Sequence, residues 1–420
     1  MVKQQRLIIE NVKPQINCGD FFIKRVVNEI VFISADIFGD GHDVIQAEVE
    51  VKHHDNKHNF SLRLQPEVND VFKGFFYVVH QGYYTYKLRA WVDQPLNWHH
   101  GISAKIAAEQ YVKSELLEGV QYLEYLQQRL SNEDDLNFVN SLIPLFKDEN
   151  QYIEACKNAK SKRLKQLFID FPTKNFATET QDFQIYVDRE KARFSTWYEF
   201  FPRSASEHDN QHGTFKDCEI LLDRIAKMGF DTLYFPPIHP IGEKNRKGKN
   251  NTTNANPDDS GVPWAIGSHH GGHKSIHPEL GSLDDFKHLI HKAQDLGIEV
   301  AMDLAFQAAP DHPYLTEHPE WFKFRPDGSI QYAENPPKKY QDIVNFNFEC
   351  EEVDALWDEL LSIGLYWAKQ GVKVFRVDNP HTKPYRFWNW FISKMKDKYP
   401  DTIFLSEAFS RPKVMQQLAK

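Results

Sequence analysis

Two carboxylates follow short apolar segments in the last part of the sequence. Asp378 follows the apolar residues of VKVFRVDNP, and Glu407 follows those of TIFLSEAF. Such surroundings are typical of buried strands, and acids at the carboxyl ends of successive barrel strands point into one shared cleft. Retaining chemistry on sugars uses such a pair, one acid as nucleophile and one as proton donor, about 5 Å apart. The pair therefore predicts an active site.

Arg376 lies two residues before Asp378, so that both side chains fall on the same face of the predicted strand. A guanidinium in that position can keep the Asp378 carboxylate ionised through a charge-assisted hydrogen bond. The alternative is a buried ion pair that only holds neighbouring strands together.

The elements that must position these groups begin at Arg193, where strand patterns start to alternate with amphipathic helices. A well-marked helix begins after Ser282, a suitable N-cap, and ends at Gly297. This alternation predicts a parallel sheet with helical crossovers. Its strand segments are STWYEFFPR, DTLYFPP, IEVAMDLAF, VKVFRVDN and TIFLSEAF.

Residues 193–420 are therefore predicted to form an incomplete (β/α)8 TIM barrel with about five of the eight strands, because closing such a barrel takes about 250 residues. The segment 310–348 is too long for a loop without structure of its own, and it is expected to form a small subdomain over the cleft. The sequence ends at Lys420 inside a helical pattern, so we expect it to be C-terminally incomplete. An open sheet exposes strand edges, and we expect the 420-residue chain alone to be inactive and poorly soluble.

The first part of the chain has a different pattern. Residues 1–103, joined by residues 178–192, are rich in β-branched and aromatic segments separated by turns, which predicts a β-sandwich. Residues 104–177 are rich in Ala, Glu, Lys and Leu at helical spacing, which predicts a helical bundle inserted into that sandwich.

The composition limits the classes of function. A net charge of −9 over 420 residues does not favour a nucleic-acid partner. The N-terminus lacks the apolar core of a signal peptide, and no apolar run is long enough to span a membrane. The four cysteines form no CxxC pair and fit reduced thiols. A cytoplasmic protein is the expectation.

The segments FRVDNP and FLSEAF resemble motifs of the α-amylase superfamily of glycoside hydrolases. More narrowly, residues 195–412 resemble the bacterial α-1,4-glucan:maltose-1-phosphate maltosyltransferases. The N-terminal 190 residues resemble that family in the arrangement of their domains more than in their sequence. The segments that carry the narrower likeness are WYEFFPRS, YFPPIHPIGEKNRKGKNN, GVPWAIGS, GGHKSIHPELGSLDDF, APDHPYLTEHPEWFKFRPDGSI, AENPPKKYQDI and FRVDNPHTKP.

One departure from ordinary amylases favours the narrower family. Amylases carry Asp-x-x-x-Asn-His after the third strand, whose Asn helps hold calcium and whose His contacts the sugar. Here Asp303 is followed by Gln307 and Ala308 in those places. The replacement argues against amylase action and against a calcium site of that type.

The resemblance implies transfer of maltosyl units from α-maltose 1-phosphate to the non-reducing end of α-1,4-glucans such as glycogen, with retention and release of phosphate. Asp378 would be the nucleophile that forms a covalent glycosyl-enzyme, and Glu407 the acid and then the base. The superfamily also uses a third carboxylate, which would lie beyond Lys420. The family implies a homodimer and no cofactor.

A phosphate leaving group needs cations and hydrogen-bond donors beside it. The basic segments RKGKNN and PPKKYQ are suitable, although each alone also fits a solvated loop. His269, His270 and His273 lie in a Gly-rich loop without a carboxylate at ligand spacing, so no metal site is predicted. By resemblance, the substrate-binding residues are Lys247, Gln307, Asn335, Lys338, Tyr340, Arg376 and Asn379.

Two other functions stay open at this stage. One is an amylase-type hydrolase or transglycosylase that acts on maltodextrins and has no phosphate pocket. The other is an inactive sugar-binding relative or fragment, although both strand-end acids are present.

Overall fold

The computed structural model describes residues 6–420. It divides into two units, Met1–Val187 and Asp188–Lys420. The division lies a few residues before the predicted start of the barrel at residue 193. The finer boundaries predicted within the first unit stay predictions.

The first unit contains one nine-stranded sheet, with the order β1-β3-β6-β5-β4-β7-β9-β2 and β8 beside β7. Its strands are β1 (Leu7–Lys13), β2 (Ile23–Val26), β3 (Glu29–Gly39), β4 (Ile45–His53), β5 (Phe60–Pro66), β6 (Val71–Val78), β7 (Gly82–Val92), β8 (Thr178–Glu179) and β9 (Phe183–Asp188).

Side chains that alternate along β3, β4 and β7 build the core of this unit. In β3, for example, Val31, Ile33, Ala35 and Ile37 are buried while the residues between them are not. Residues from both ends of the sheet share one hydrophobic cluster. Strand β5 pairs with β6 on one side and with β4 on the other, and so joins the two halves of the sheet. The β-rich fold predicted here is confirmed, and QDFQIYVDRE rejoins the sheet as β9 beside β7.

Five helices lie between β7 and β8: α1 (Gln94–Ala107), α2 (Lys113–Gln127), α3 (Glu133–Lys147), α4 (Tyr152–Ala159) and α5 (Lys162–Asp170). Helix α1 begins ahead of the predicted change at residue 104, because the Asp93 side chain caps its N-terminus and Pro95 occupies its first turn. The leucine-rich faces of α2 and α5 pack with Trp98 and Phe168 in a separate cluster.

Two glycines in these helices allow a matched stability test. A Cβ at Gly119 in α2 would lie 2.3 Å from Cζ2 of Trp98, whereas a Cβ at Gly101 in α1 meets nothing within 4 Å. We expect Gly119→Ala to destabilise the unit by about 1–3 kcal/mol through overpacking. We expect Gly101→Ala to stabilise it by about 0.5–1 kcal/mol through helix propensity. Urea unfolding followed by circular dichroism measures both, and equal shifts for the two variants would contradict the packing argument.

The second unit contains the parallel sheet. Its strands are β10 (Trp197–Glu199), β11 (Thr232–Phe235), β12 (Glu299–Leu304), β13 (Gln307–Ala308), β14 (Tyr332–Asn335), β15 (Lys338–Asn345), β16 (Val374–Val377) and β17 (Ile403–Ser406). Its helices are α6 (Phe215–Lys227), α7 (Leu283–Asp295), α8 (Tyr314–Glu317), α9 (Val353–Lys369), α10 (Tyr385–Lys398) and α11 (Pro412–Leu418).

Strands β10, β11, β12, β16 and β17 are parallel neighbours in that order. They occupy the five predicted segments, which confirms the parallel architecture. Helix α7 is a crossover that begins as predicted, with a capping box between Ser282 and Asp285, and it buries Phe286 and Leu289 in the core.

The segment after the third parallel strand forms a small antiparallel sheet in the order β13-β15-β14. FRPDGSI is a tight turn, with Phe324 bridged to Ile330 and Gly328 in a left-handed conformation. Among residues 6–420, no helix is long and apolar enough to cross a membrane.

Candidate active site

The order of the parallel strands brings three carboxylates to the same edge of the sheet. Asp303 of β12 is in register with Arg376 of β16. The backbone N–H of Asp378 donates to the carbonyl of Leu304 at 3.1 Å, and that of Glu407 donates to Val377 at 3.0 Å. These main-chain bonds fix the two predicted catalytic residues just past adjacent strand ends.

One guanidinium connects all three acids. Nη1 of Arg376 lies 2.7 Å from Oδ2 of Asp303 and 3.0 Å from Oδ1 of Asp378. Its Nη2 lies 2.5 Å from Oε2 of Glu407. Asp378 and Glu407 are therefore held on two nitrogens of the same planar group, which limits how far apart the two carboxylates can be.

The environments of these acids differ. Burial raises the pKa of Glu407, and the neighbouring Asp378 carboxylate raises it further, while Arg376 partly opposes the rise. A raised pKa widens the pH range in which the carboxyl stays protonated, which is the state that a general acid needs. Asp378 is only 6% exposed and touches the guanidinium directly. The arrangement can supply one proton donor and one nucleophile.

Tyr234 of β11 was not recognised from the sequence. Its hydroxyl donates a 2.5 Å hydrogen bond to Oδ2 of Asp303, the oxygen that also accepts from Arg376. Burial raises the pKa of Asp303 to about 7, against the lowering effect of Arg376. Tyr234 thus positions Asp303, which binds the same guanidinium nitrogen as Asp378.

The residue after the nucleophile candidate has unusual backbone angles. Asn379 has φ 40° and ψ 54°, in the left-handed region, and its Nδ2 lies 3.4 Å from Oδ1 of Asp378. A tight turn through Pro380 and Thr382 follows and leads to Lys383. The Lys383 ammonium, also missed in the sequence, is buried, and burial lowers its pKa to about 8.

A second group contains three of the predicted substrate-binding residues. Nζ of Lys247, which is only 5% exposed, donates to Oε1 of Gln341 at 2.6 Å. Nε2 of Gln307 donates to the carbonyl of Trp264 at 3.3 Å, and Tyr340 packs in the same small cluster as Trp264. Gln341 and Trp264, which position these groups, had no signal of their own in the sequence.

Asn335 and Lys338 face each other across the β14–β15 hairpin and are exposed. Nζ of Lys338 lies 5.5 Å from the centroid of the Tyr340 ring. The predicted site residues thus form a carboxylate cluster (Arg376, Asp378, Asn379 and Glu407) and a polar cluster (Lys247, Gln307, Asn335, Lys338 and Tyr340). Within residues 6–420, no salt bridge joins a lysine of the polar cluster to Asp378 or Glu407.

Buried histidines hold the short segment between β12 and β13. The backbone N–H of Tyr314 donates to Nδ1 of His312, so the proton of that neutral ring is on Nε2. His312 then donates to Nδ1 of His273 at 3.0 Å, and Nε2 of His273 donates to the carbonyl of Ala305 at 3.0 Å. Burial lowers the pKa of both rings to about 3. The neutral relay fixes the backbone that precedes Gln307.

Two groups in the described part of the chain contain histidines and a carboxylate with ligand atoms within 4.8 Å of one another: His212, His277 and Glu279, and Glu243, His269 and His270. The carboxylate of the second group does not lie at ligand spacing in the sequence, and the absence of a metal site stays a prediction. Glu243 is distant in sequence, and folding brings it 3.2 Å from His269. All three residues are exposed, an environment that also suits an ordinary surface ion pair.

The comparisons with known proteins agree along the whole chain. The family model described as α-1,4-glucan:maltose-1-phosphate maltosyltransferase, domain N/S, matches residues 5–189. The protein of that name from Methylacidiphilum infernorum is 48% identical over 99% of this chain and 62% of its own length. Its namesakes from Myxococcus xanthus and Chlorobaculum tepidum are 46% and 44% identical over 99% of this chain, and over 63% and 62% of their lengths.

The chain thus spans somewhat less than two thirds of the length of these curated relatives. Their likeness extends through both structural units, from the nine-stranded sheet to the strand that precedes Glu407. The chain belongs to the family of α-1,4-glucan:maltose-1-phosphate maltosyltransferases.

Proposed function

We propose that the protein containing this chain transfers maltosyl units from α-maltose 1-phosphate to the non-reducing end of an α-1,4-glucan, with retention of configuration and release of phosphate. The observation that carries the proposal is the placement of Asp378 and Glu407 at adjacent strand ends on one Arg376 guanidinium. The donor and the acceptor are those in the names of the relatives.

In the first step, a carboxylate oxygen of Asp378 attacks the anomeric carbon of the donor. The new bond to Asp378 forms as the bond between that carbon and the phosphate oxygen breaks. Glu407 gives its proton to the departing phosphate oxygen, which its raised pKa favours. The product is a β-linked maltosyl-enzyme.

In the second step, the 4-hydroxyl of the acceptor attacks the same carbon. Glu407, now ionised, takes the hydroxyl proton, and the bond to Asp378 breaks. Each step inverts the anomeric centre, so the product is again α-linked. Arg376 stays bound to both carboxylates and balances their charge through the cycle.

The departing phosphate needs fixed positive charge and hydrogen-bond donors. We assign this role to the polar cluster together with Asn379, with Gln307 facing the same sugar. The burial of Lys247 and its bond to Gln341 support the assignment, because a lysine held in one place costs little reorganisation when the anion forms.

Four further features belong to the same proposal. The five parallel strands form part of a (β/α)8 barrel, and a later strand contributes a third catalytic carboxylate. The protein works as a homodimer in the cytoplasm. Light scattering during size-exclusion chromatography tests the dimer directly.

The decisive experiment compares two activities of the protein as its gene encodes it. Phosphate release from α-maltose 1-phosphate with glycogen is measured beside sugar release from soluble starch. Phosphate release with growth of the glycogen chain supports the proposal. Sugar release from starch without phosphate release would instead support the amylase-type alternative.

The phosphate role of Lys247 gives a prediction that separates these alternatives. Lys247→Met keeps most of the buried side-chain volume but removes the charge, so we expect kcat/KM for α-maltose 1-phosphate to fall by about 10²-fold. Lys244→Met is the matched control, because Lys244 lies in the same loop and is exposed. If the two variants have the same kcat/KM, Lys247 does not contact the phosphate.

A further inference from the structure

Lys383 is a buried cation beside the candidate nucleophile that the proposed mechanism does not use. The residue is 8% exposed, although a lysine is seldom buried without a charged partner. In the described part of the chain, its ammonium has one hydrogen-bond partner, the carbonyl of Asn379, at 3.5 Å. The negative charges that act on it belong to Asp378 and Asp303.

The Asn379 carbonyl is the centre of the turn that follows β16. It accepts the backbone N–H of Thr382 at 3.1 Å and the hydroxyl of Thr382 at 2.8 Å, in addition to the Lys383 ammonium. Asn379 itself is left-handed, a conformation that asparagine adopts more readily than most residues with a side chain. Two of these donors belong to Thr382, and the Lys383 ammonium adds the third at the longest distance, so the orientation of this peptide group is held from several sides.

The balance of charge points to the same residue. Asp303, Asp378 and Glu407 share the single guanidinium of Arg376. When more than one of these acids is ionised, a second positive charge lowers the energy of the cluster. The Lys383 ammonium lies 3.5 Å from the carbonyl of Asn379, the residue after Asp378, and it forms no salt bridge with Asp378. It therefore adds positive charge near the carboxylate without a strong bond to the nucleophilic oxygen.

We propose that Lys383 is a positioning residue for the transfer reaction: its buried ammonium fixes the left-handed backbone of Asn379 and supplies the second positive charge that faces Asp378. The inference rests on the proposed function and deepens it. Lys383 acts through Asn379 and Asp378 and does not touch the substrate.

The variant Lys383→Met separates this role from a merely structural one. We expect kcat for maltosyl transfer to fall by about 10²-fold, because a small misplacement of the reacting group is enough for such a loss. KM for the donor should change less than kcat. The urea midpoint should stay the same or rise, because the lowered pKa of Lys383 means that burying its charge costs more than the nearby carboxylates return, and methionine fills similar space. A structural role predicts that stability falls together with activity.

Two further variants complete the experiment. Lys383→Ala leaves room for a small amine, so we expect added propylammonium chloride to restore part of kcat, whereas tetramethylammonium chloride, which has no N–H donor, should not. Lys398→Met is the control, because Lys398 is exposed on α10. The proposal is overturned if Lys383→Met keeps kcat within threefold of the wild type. It is also overturned if the activity of Lys383→Met falls only in proportion to its stability and no amine restores the kcat of Lys383→Ala.

The pH dependence of unfolding supplies a readout that needs no substrate. The charged groups that act directly on Lys383 are Asp378 and Asp303. These two carboxylates in turn interact with Tyr234, Arg376 and Glu407. The folded pKa of Lys383 is about 8, below its ordinary value of about 10.4, so the unfolded chain binds more protons between these values. Wild-type stability should therefore gain from this group as the pH rises through that window, and Lys383→Met should lack the gain.

This readout distinguishes the two possible failures. A wild type that acts on starch but not on α-maltose 1-phosphate overturns the proposed donor, and the lysine variants are then compared on starch. If the wild type and Lys383→Met unfold with identical pH dependence, the claim that Lys383 is a buried charged group is wrong, whatever the substrate is.

Discussion

Replacing Asp378 by asparagine is expected to lower kcat for maltosyl transfer by at least about 10⁴-fold, because the amide cannot form the covalent intermediate. The change is nearly isosteric, and Arg376 keeps its bonds to Asp303 and Glu407. The donor should still bind, because the polar cluster and Asn379 are unchanged. Single-turnover measurement of phosphate release gives the loss, and equilibrium binding of the donor gives the affinity.

The control for this variant is Asp401→Asn. Asp401 is exposed in the loop before β17. Asp401→Asn removes the same charge as Asp378→Asn, but Asp401 does not contact the site. We expect kcat within twofold of the wild type. If Asp378→Asn releases phosphate at more than one tenth of the wild-type rate while its fold is intact, Asp378 is not the nucleophile and the reaction has no covalent intermediate on this residue.

The elements that carry the two acids could be predicted from local sequence. Each parallel strand is a short apolar segment, and the helix after Ser282 has a capping box and a regular apolar face. Such patterns depend on neighbours within a few residues. Placing Asp378 beside Glu407 needed only the rule that parallel strands present their carboxyl ends at one edge of a sheet.

The supporting residues could not be predicted in this way. Tyr234, Gln341 and Lys383 are polar residues in segments where nothing local distinguishes a buried hydrogen-bonding role from an exposed one. Tyr234 meets Asp303 across 69 positions of sequence, and Lys247 meets Gln341 across 94. Only the three-dimensional arrangement decides which polar groups share a buried space.

The histidine-rich loop shows the same limit. His269, His270 and His273 lie within five residues of one another, but folding gives them different surroundings. His273 is buried in a neutral relay to Ala305, while His269 and His270 are exposed beside Glu243. Sequence spacing gave no information about which ring would be buried, because the partners His312 and Glu243 come from other loops.

Replacing Glu407 by glutamine is expected to lower kcat with α-maltose 1-phosphate by about 10²–10⁴-fold, the range typical of a lost general acid or base. The wild type should lose kcat/KM as the pH rises through the pKa of Glu407 in the free enzyme, because the first step needs the protonated acid. Burial raises that pKa, so the loss should begin above the range of an ordinary glutamate. The glutamine variant should lack this limb of the pH profile.

The same variant can reveal the intermediate that Asp378 forms. α-Maltosyl fluoride has a leaving group that needs little protonation, so the first step should proceed in Glu407→Gln, while transfer to the acceptor stalls without a base. The maltosyl-enzyme should then accumulate and appear as an increased intact mass. Azide needs no base to attack, so it should release the enzyme as α-maltosyl azide. A product of β configuration would show direct displacement and exclude Asp378 as the nucleophile, and slow turnover without any added mass would assign Glu407 a structural role.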